Sequence, residues 1–463
     1  MQQVDFILYP KWIITVNNND DVLTDHALVI NNDKILEILP KDEAKQKYTS
    51  NQIKILADHA ILPGFINCHT HNPMSLMRGI ANDMPLMRWL TEYIFPTEKN
   101  YMNAEYIHDG MILAMAEMLK SGTTNFNEHY YFPIETSLAV EEVGMRATIG
   151  GHVIQFPTPW ANGGEDSIKK SIEFFKQYQN HDLISIALAP HGPYTLADED
   201  MIRIKDTSEE YKVKIHMHVH ETADEVKMSL ENYDKRPIKR MHDLGLMSPN
   251  FQCVHMTQIT QEDLDILKET KPNIVHCPES NCKLASGIAP IQDFMDLGLT
   301  VALGTDGPVS NNDLDMIGEM RMANFISKLK TLNAETLPAN KTLRMATING
   351  AKILGLNNKI GSLEVGKQAD CIAIDLNHVA TQPTYDPIDQ IVYASGRDQV
   401  TDVWVNGKQL LDNRKLTTID EEKIIAKAQI WHEALKGVRS LLAQRGQVST
   451  CDNFVGKLSQ VET

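Results

Sequence analysis

Between Gly64 and Gly307 a short strand-like run followed by a longer stretch recurs eight times. The runs are GFINCHTH, GTTNFNEH, MRATIGGH, ISIALAPHG, VKIHMHVHE, FQCVHMT, NIVHCPES and LTVALGTDG. Parallel strands need long crossovers, usually helices, so eight such units predict a closed parallel barrel with helices outside it. One intervening stretch, IHDGMILAMAEMLKSG, places Ile107, Met111, Ala114, Met115 and Met118 on a single helical stripe that Gly122 closes. The chain ends differ in character. DFILYPKWIITVN and DHALVINNDKILEIL at the start, and IGSLEVGKQADCIAIDL and VTDVWVNGKQLL near the end, read as strands separated by turns. The expected fold class is therefore α/β: a (β/α)8 TIM-like barrel with a small β-sandwich domain built from both chain ends. The expected boundaries are 1–63 and 361–420 for the β domain, 64–360 for the barrel, and 421–463 for a C-terminal helical segment.

Composition narrows the partners. A net charge of −17 repels polyanions, so nucleic acid is set aside. No apolar run approaches the ~20 residues of a membrane helix, and the opening MQQVDFILYPKW lacks the features of a leader peptide. Six cysteines without a CxxC pair suit a reducing cytoplasm better than a disulfide framework.

The chemistry lies at the strand ends, where a parallel barrel carries its site. In order these ends present His69 and His71, Glu128 and His129, His152, His191, His218 to Glu221, His255, His276, and Asp306. A single strand-end histidine is most often a satisfied core group. Metal-compatible groups at nearly every end are a different matter. The HxH of His69 and His71 puts two imidazoles on one face, and a fifth-strand histidine and an eighth-strand aspartate complete a borderline site suited to zinc or iron(II). In KIHMHVHE, strand alternation points His216, His218 and His220 the same way.

PGFINCHTH, HMHVHET, VHCPESNCKLASGIAPI and GTDGPVSNNDLDMIGEMR resemble the amidohydrolase superfamily, in particular its 5-methylthioadenosine/S-adenosylhomocysteine deaminases, with triazine chlorohydrolases as cousins. The resemblance spans nearly the whole chain. It implies one divalent metal ion, zinc first and iron(II) second, held by His69, His71, His218 and Asp306. It implies Glu221 as proton donor to the substrate ring, Asp306 as acceptor of the water's proton, and His255 as a hydrogen-bonding catalytic group. It places Glu98 and His191 with Glu221 and Asp306 among the substrate-binding residues. Binuclear members use a lysine at the end of strand four, where this chain has His191, so a single ion is expected. His216 is expected to lie deeper as a hydrogen-bonded barrel residue, and His220 to act behind the ligands.

The reaction implied is hydrolytic deamination of an adenosine. Some members carry arginines after the GMRA strand to meet the carboxylate of S-adenosylhomocysteine, whereas this chain reads GMRATIGGHVIQF with Gly151 there and no further arginine before Arg203. The expected substrates are thus nucleosides with small apolar 5′ groups. Expected partners are that small-molecule nucleoside and further copies of the chain in a dimer or tetramer, with neither nucleic acid nor membrane. Three rivals remain. A triazine or guanine reaction on the same scaffold lacks a ribose for Glu98 to hold. A non-catalytic scaffold would have no need of four ligands. A cytidine-deaminase-type enzyme needs HxE and PCxxC, which are absent.

Overall fold

The computed structural model describes residues 1–445, so the end of the expected 421–463 segment, with Cys451, lies outside the described residues. The first strands are Phe6–Ile14 (β1), Val22–Thr24 (β2), His26–Asn31 (β3), Lys34–Pro40 (β4) and Gln52–Pro63 (β5). The late strands Cys371–Asp375 (β14), Val400–Val405 (β15), Lys408–Asp412 (β16) and Lys415–Leu416 (β17) join them in one nine-stranded sheet. Its path is β17-β16-β15-β14-β5-β1-β3-β4, with β2 paired to β1. Both chain ends are therefore hydrogen bonded into one unit through β5 and β14. Alternation in β1 explains its two faces: Phe6 and Leu8 enter one core, Ile7 and Tyr9 another beside the helix Lys41–Lys47. The sheet curls on itself. Three strand spacings separate β1 from β15, about 14 Å in a flat sheet, yet the rings of Phe6 and Trp404 meet at 6.2 Å.

The barrel strands are Phe65–Thr70 (β6), Thr123–Glu128 (β7), Arg146–Val153 (β8), Ile184–Pro190 (β9), Lys214–Val219 (β10), Phe251–His255 (β11), Asn273–His276 (β12) and Val301–Leu303 (β13). They pair in sequence order, all parallel. Each of the eight runs read from the sequence supplies one strand. Closure between first and last is short: a parallel bridge links Thr70 to Asp306, whose N–H donates to the His69 carbonyl at 3.0 Å. Two of the candidate metal-binding residues thus help to close the barrel.

Helices cover the outside. Ala104–Lys120 (α1) is capped at its start by Asn103, whose side chain accepts from the Tyr106 N–H. Its Ile107, Met111, Ala114, Met115 and Met118 are all fully buried; the isoleucine and the three methionines contribute about 1.5–3 kcal/mol each by leaving water, and the alanine methyl about 0.8 kcal/mol. Gly122 follows at φ +90°, and a Cβ there would meet Ile372 at 2.9 Å. The C-terminal helix Glu421–Arg445 (α2) docks on α1, where buried Asp109 accepts from Trp431 at 3.0 Å and pairs with Lys427. No helix among the described residues is long and apolar enough to cross a membrane.

One buried ion pair joins the two units. Arg146, at the start of β8, donates to Asp370 at 2.8 and 3.2 Å, to the Asp182 carbonyl at 3.1 Å and to Asn406 at 3.2 Å. Both charged side chains are only 2% exposed. Arg146→Met would leave Asp370 buried and unpaired, and we expect it to lower stability by about 3–5 kcal/mol. A guanidinium unfolding series measures this; a change below about 1 kcal/mol would mean that apolar packing alone holds the two units together.

Candidate metal centre and active site

The four residues singled out for a metal converge at the top of the barrel. His69 and His71 come from the end of β6, His218 from β10, and Asp306 from the turn after β13. One donor atom from each lies within 4.8 Å of all the others. Nε2 of His218 is 3.1 Å from Nε2 of His69 and 3.2 Å from Nε2 of His71. Asp306 Oδ1 is 3.3 Å from His69 Nε2 and 3.2 Å from His71 Nε2. A tetrahedral ion with bonds of about 2.0–2.1 Å needs ligand separations of about 3.3 Å.

The surrounding hydrogen bonds fix what these nitrogens carry. His71 Nδ1 donates to the His129 carbonyl and His218 Nδ1 to the His191 carbonyl, each at 2.5 Å, so both Nε2 atoms are bare. His69 takes one more step. The Gln252 amide donates to the Ile353 carbonyl, and Asn127 donates to its Oε1, so Oε1 is an acceptor and His216 Nδ1 gives it a hydrogen at 2.9 Å. His216 Nε2 is then a lone pair, which receives the hydrogen of His69 Nδ1 at 2.7 Å. His69 Nε2 is left bare as well. Three imidazole lone pairs and a carboxylate oxygen therefore face one another. A proton shared with Asp306 relieves one of them, not three; a divalent cation relieves all. The residues fit a metal ion by the chemistry of the donor set. Burial drives His69 down to about 3 and His218 well below its ordinary value, which keeps both rings neutral, with a single proton on Nδ1. For His71 burial acts the same way, but the Asp306 and Glu128 carboxylates outweigh it and leave it raised. His69, His129 and His216 also lie close enough to share an ion, but the His69–His216 contact is already a hydrogen bond.

The three alternate histidines of β10 do not all face inward. His216 and His218 do. His220 adopts φ +54°, outside the strand, and its ring turns away to contact the Gln258 carbonyl at 2.7 Å and to accept from the Ile238 N–H at 3.1 Å. The left-handed residue flips the chain, and this is what brings Glu221 into the cavity. Asp306 and His255 also have positive φ, +64° and +75°. Glu221 is buried, and burial followed by the nearby Asp306 charge raises its carboxyl to about 8. Its Oε2 lies 3.8 Å from His255 Nε2. His255 donates from Nδ1 to Asn281 at 2.9 Å, and its Nε2 has no partner.

A cleft with an empty volume of about 540 Å³ opens above these groups. Glu98 lines it, 4% exposed and raised to about 7 by burial, and it accepts from Tyr130 at 2.7 Å and Tyr131 at 3.3 Å. His191 lines it too, held neutral by burial and by the neighbouring His71. Met74, Leu86, Trp89, Leu90, Phe95 and Leu284 supply an apolar part of the wall, and among the described residues no lysine or arginine lines the cleft. The comparison drawn at Gly151 needs correcting. A Cβ there would point outward into Ser171 at 2.3 Å, on the helix Gly164–Tyr178, so an arginine at 151 would not reach the cleft in this backbone. The residue of β8 that faces the cleft is His152.

Several contributors were not foreseen. Ser280 and Ser310 hold Asp306 Oδ2 at 2.6 and 2.7 Å, while the Gly307 N–H holds Oδ1 at 2.8 Å. Asn281 orients His255 and Gln252 orients His216. The one signal for Gln252 was a polar residue inside an apolar run, in register with His216. Gln252→Leu would free the His216 tautomer. We expect it to weaken metal retention roughly 10–100-fold, measured by chelator competition with zinc content as the readout. Unchanged retention would mean that His69 is oriented without this relay.

A model of the amidohydrolase family matches residues 60–410. The chain is 42% identical over 436 residues to a 5-methylthioadenosine/S-adenosylhomocysteine deaminase of Teredinibacter turnerae, covering 94% of this chain and 99% of the relative. It is 40% identical over 415 residues to a 5′-deoxyadenosine deaminase of Methanobrevibacter smithii, covering 89% and 94% of the two chains. A crystal structure of an adenosine deaminase from Xanthomonas campestris with bound zinc superposes with a TM-score of 0.92 at 40% identity, covering 94% of this chain and 99% of that one. A parallel barrel closed at a cluster of bare imidazole nitrogens, a family match over most of the length and near full-length relatives agree: the chain belongs to the amidohydrolase family.

Proposed function

We propose that this hydrolase removes the 6-amino group of 5′-substituted adenosines, with 5′-methylthioadenosine as the leading substrate, giving the inosine analogue and ammonia. The observation that carries this reading is the placement, in one cleft, of the four-acceptor group beside a buried carboxylic acid, Glu221. The names of the similar deaminases support the same substrate class.

His69, His71, His218 and Asp306 would hold one divalent ion, zinc first and iron(II) second, and its charge would lower the pKa of a water molecule there toward ~7. The protein's own groups do the rest. Glu221 gives its proton to ring N1, which makes C6 open to attack. Asp306 accepts the proton that the water loses as its oxygen bonds to C6 and passes it to the departing amino group; as the C6–N bond breaks ammonia leaves, and the C6 hydroxyl gives up its proton to return Glu221 to its acid form. His255 Nε2, free of partners, hydrogen-bonds the incoming oxygen. Glu98, steadied by two tyrosine hydroxyls, accepts from the ribose, and His191 contacts the base.

Glu221 acts in its protonated form, which is present below its raised pKa and lost above it. kcat is therefore expected to fall as pH rises toward about 8, and a bound cation moves that limb lower. Glu221→Gln keeps the shape but cannot donate a proton to N1, and should reduce kcat at least about 10²-fold. A pH–rate profile without an alkaline limb, or a Gln variant with near-normal kcat, rules out Glu221 as the acid.

The substrate preference follows from the wall. With no lysine or arginine among the described residues lining the cleft, burying the carboxylate of S-adenosylhomocysteine away from the metal group is unfavourable, whereas a methylthio group suits the apolar part. kcat/KM for methylthioadenosine should exceed that for S-adenosylhomocysteine by about tenfold or more. Steady-state assays of ammonia release decide this, and parity or reversal would overturn the preference.

A further inference from the structure

The unexplained group in the cleft is His152. It sits at the C-terminal end of β8, in register with Ala189 of β9, and is 3% exposed. It lines the cleft, yet neither Nδ1 nor Nε2 has a hydrogen-bond partner among the described residues. Buried polar groups are nearly always paired, because leaving one unpaired forfeits the hydrogen bonds it made to water. Aromatic packing holds the ring instead. Tyr131 meets it edge to face at 4.5 Å and 71°, His129 lies at 5.2 Å, and His191 at 6.0 Å. Both nitrogens thus stay free in a fixed place. His129 also lacks partners, but its ring lies flat on His218 at 4.7 Å and 17°, where it forms a wall of the metal group.

Tyr131 locates the part of a ligand that His152 would meet. The tyrosine packs against His152 with its ring and donates its hydroxyl to Glu98 at 3.3 Å, so the two residues flank one side chain. Glu221 follows the fifth barrel strand and His255 ends the sixth, two and three strands on from that of His152.

We propose that His152 is a substrate-binding residue that hydrogen-bonds a sugar hydroxyl beside Glu98. This rests on the nucleoside reading above. The match is chemical: a neutral imidazole offers one N–H and one lone pair, and a hydroxyl both accepts and donates. Burial, with His191 and His71 nearby, keeps the ring neutral, so it offers no charge to a carboxylate at the 5′ end.

The test is a cycle between side chain and substrate. Wild type, His152→Phe and His152→Asn are assayed on adenosine, 2′-deoxyadenosine and 3′-deoxyadenosine, and zinc content is measured for each. His152→Phe should lose about tenfold in kcat/KM on adenosine, mostly through KM. It should lose less than about twofold on whichever analogue lacks the hydroxyl that His152 holds. His152→Asn, which keeps a donor and an acceptor, should recover part of the loss, and zinc content should match wild type. An equal loss on all three nucleosides, or none on any, overturns the assignment. If the wild type deaminates no nucleoside, the proposed function itself falls, and this inference with it.

Discussion

Three imidazole lone pairs and a carboxylate oxygen aimed at one buried point repel one another unless a cation lies between them, and much of this molecule is arranged to hold them there. The arrangement extends well below the ligands. Backbone carbonyls set the tautomers of His71 and His218, and a file of side chains from Asn127 through Gln252 and His216 sets that of His69. The barrel interior beneath the site is therefore polar rather than a packed aliphatic core. Within this file each donor meets an acceptor, and that requirement turns hydrogen bonding into geometry.

Barrel closure and the site share atoms. The Thr70–Asp306 bridge that joins the first and last strands also fixes where the carboxylate points. Three left-handed residues lie at the same rim: His220, His255 and Asp306 follow or end their strands in conformations that ordinary side chains avoid. At His220 the consequence is direct, because the flip trades an inward histidine for an inward glutamate. Strain of this kind persists only where surrounding contacts fix it, as the Gln258 and Ile238 backbone groups do for the His220 ring.

The cleft separates its tasks by strand. The ends of the fifth and sixth barrel strands bring a protonated carboxyl and a free imidazole nitrogen. The second and third strands, with the loop after the first, bring Tyr130, Tyr131, His152 and Glu98, all of them buried. The Met74–Phe95 segment contributes the apolar wall. Away from the metal group no lysine or arginine among the described residues lines the cleft, which suits a neutral nucleoside better than an anion.

Much was legible in the sequence because its signals are local. Strand and helix periods, the eightfold alternation and the residue types at strand ends survive in one dimension, and all eight runs became barrel strands. The Gly151 comparison failed because position along the chain does not reveal the face; with His152 inward, the same alternation puts residue 151 outward. The expectation that His220 faces the same way as His216 and His218 failed because alternation holds only while the strand lasts. Sequence alone determined the architecture and the set of donor residues, since both follow from pattern and side-chain chemistry. Tertiary structure alone decided which nitrogen of each histidine is bare, which carboxyl keeps its proton and which imidazole is left without a partner, because these depend on neighbours from distant strands and on the exclusion of water.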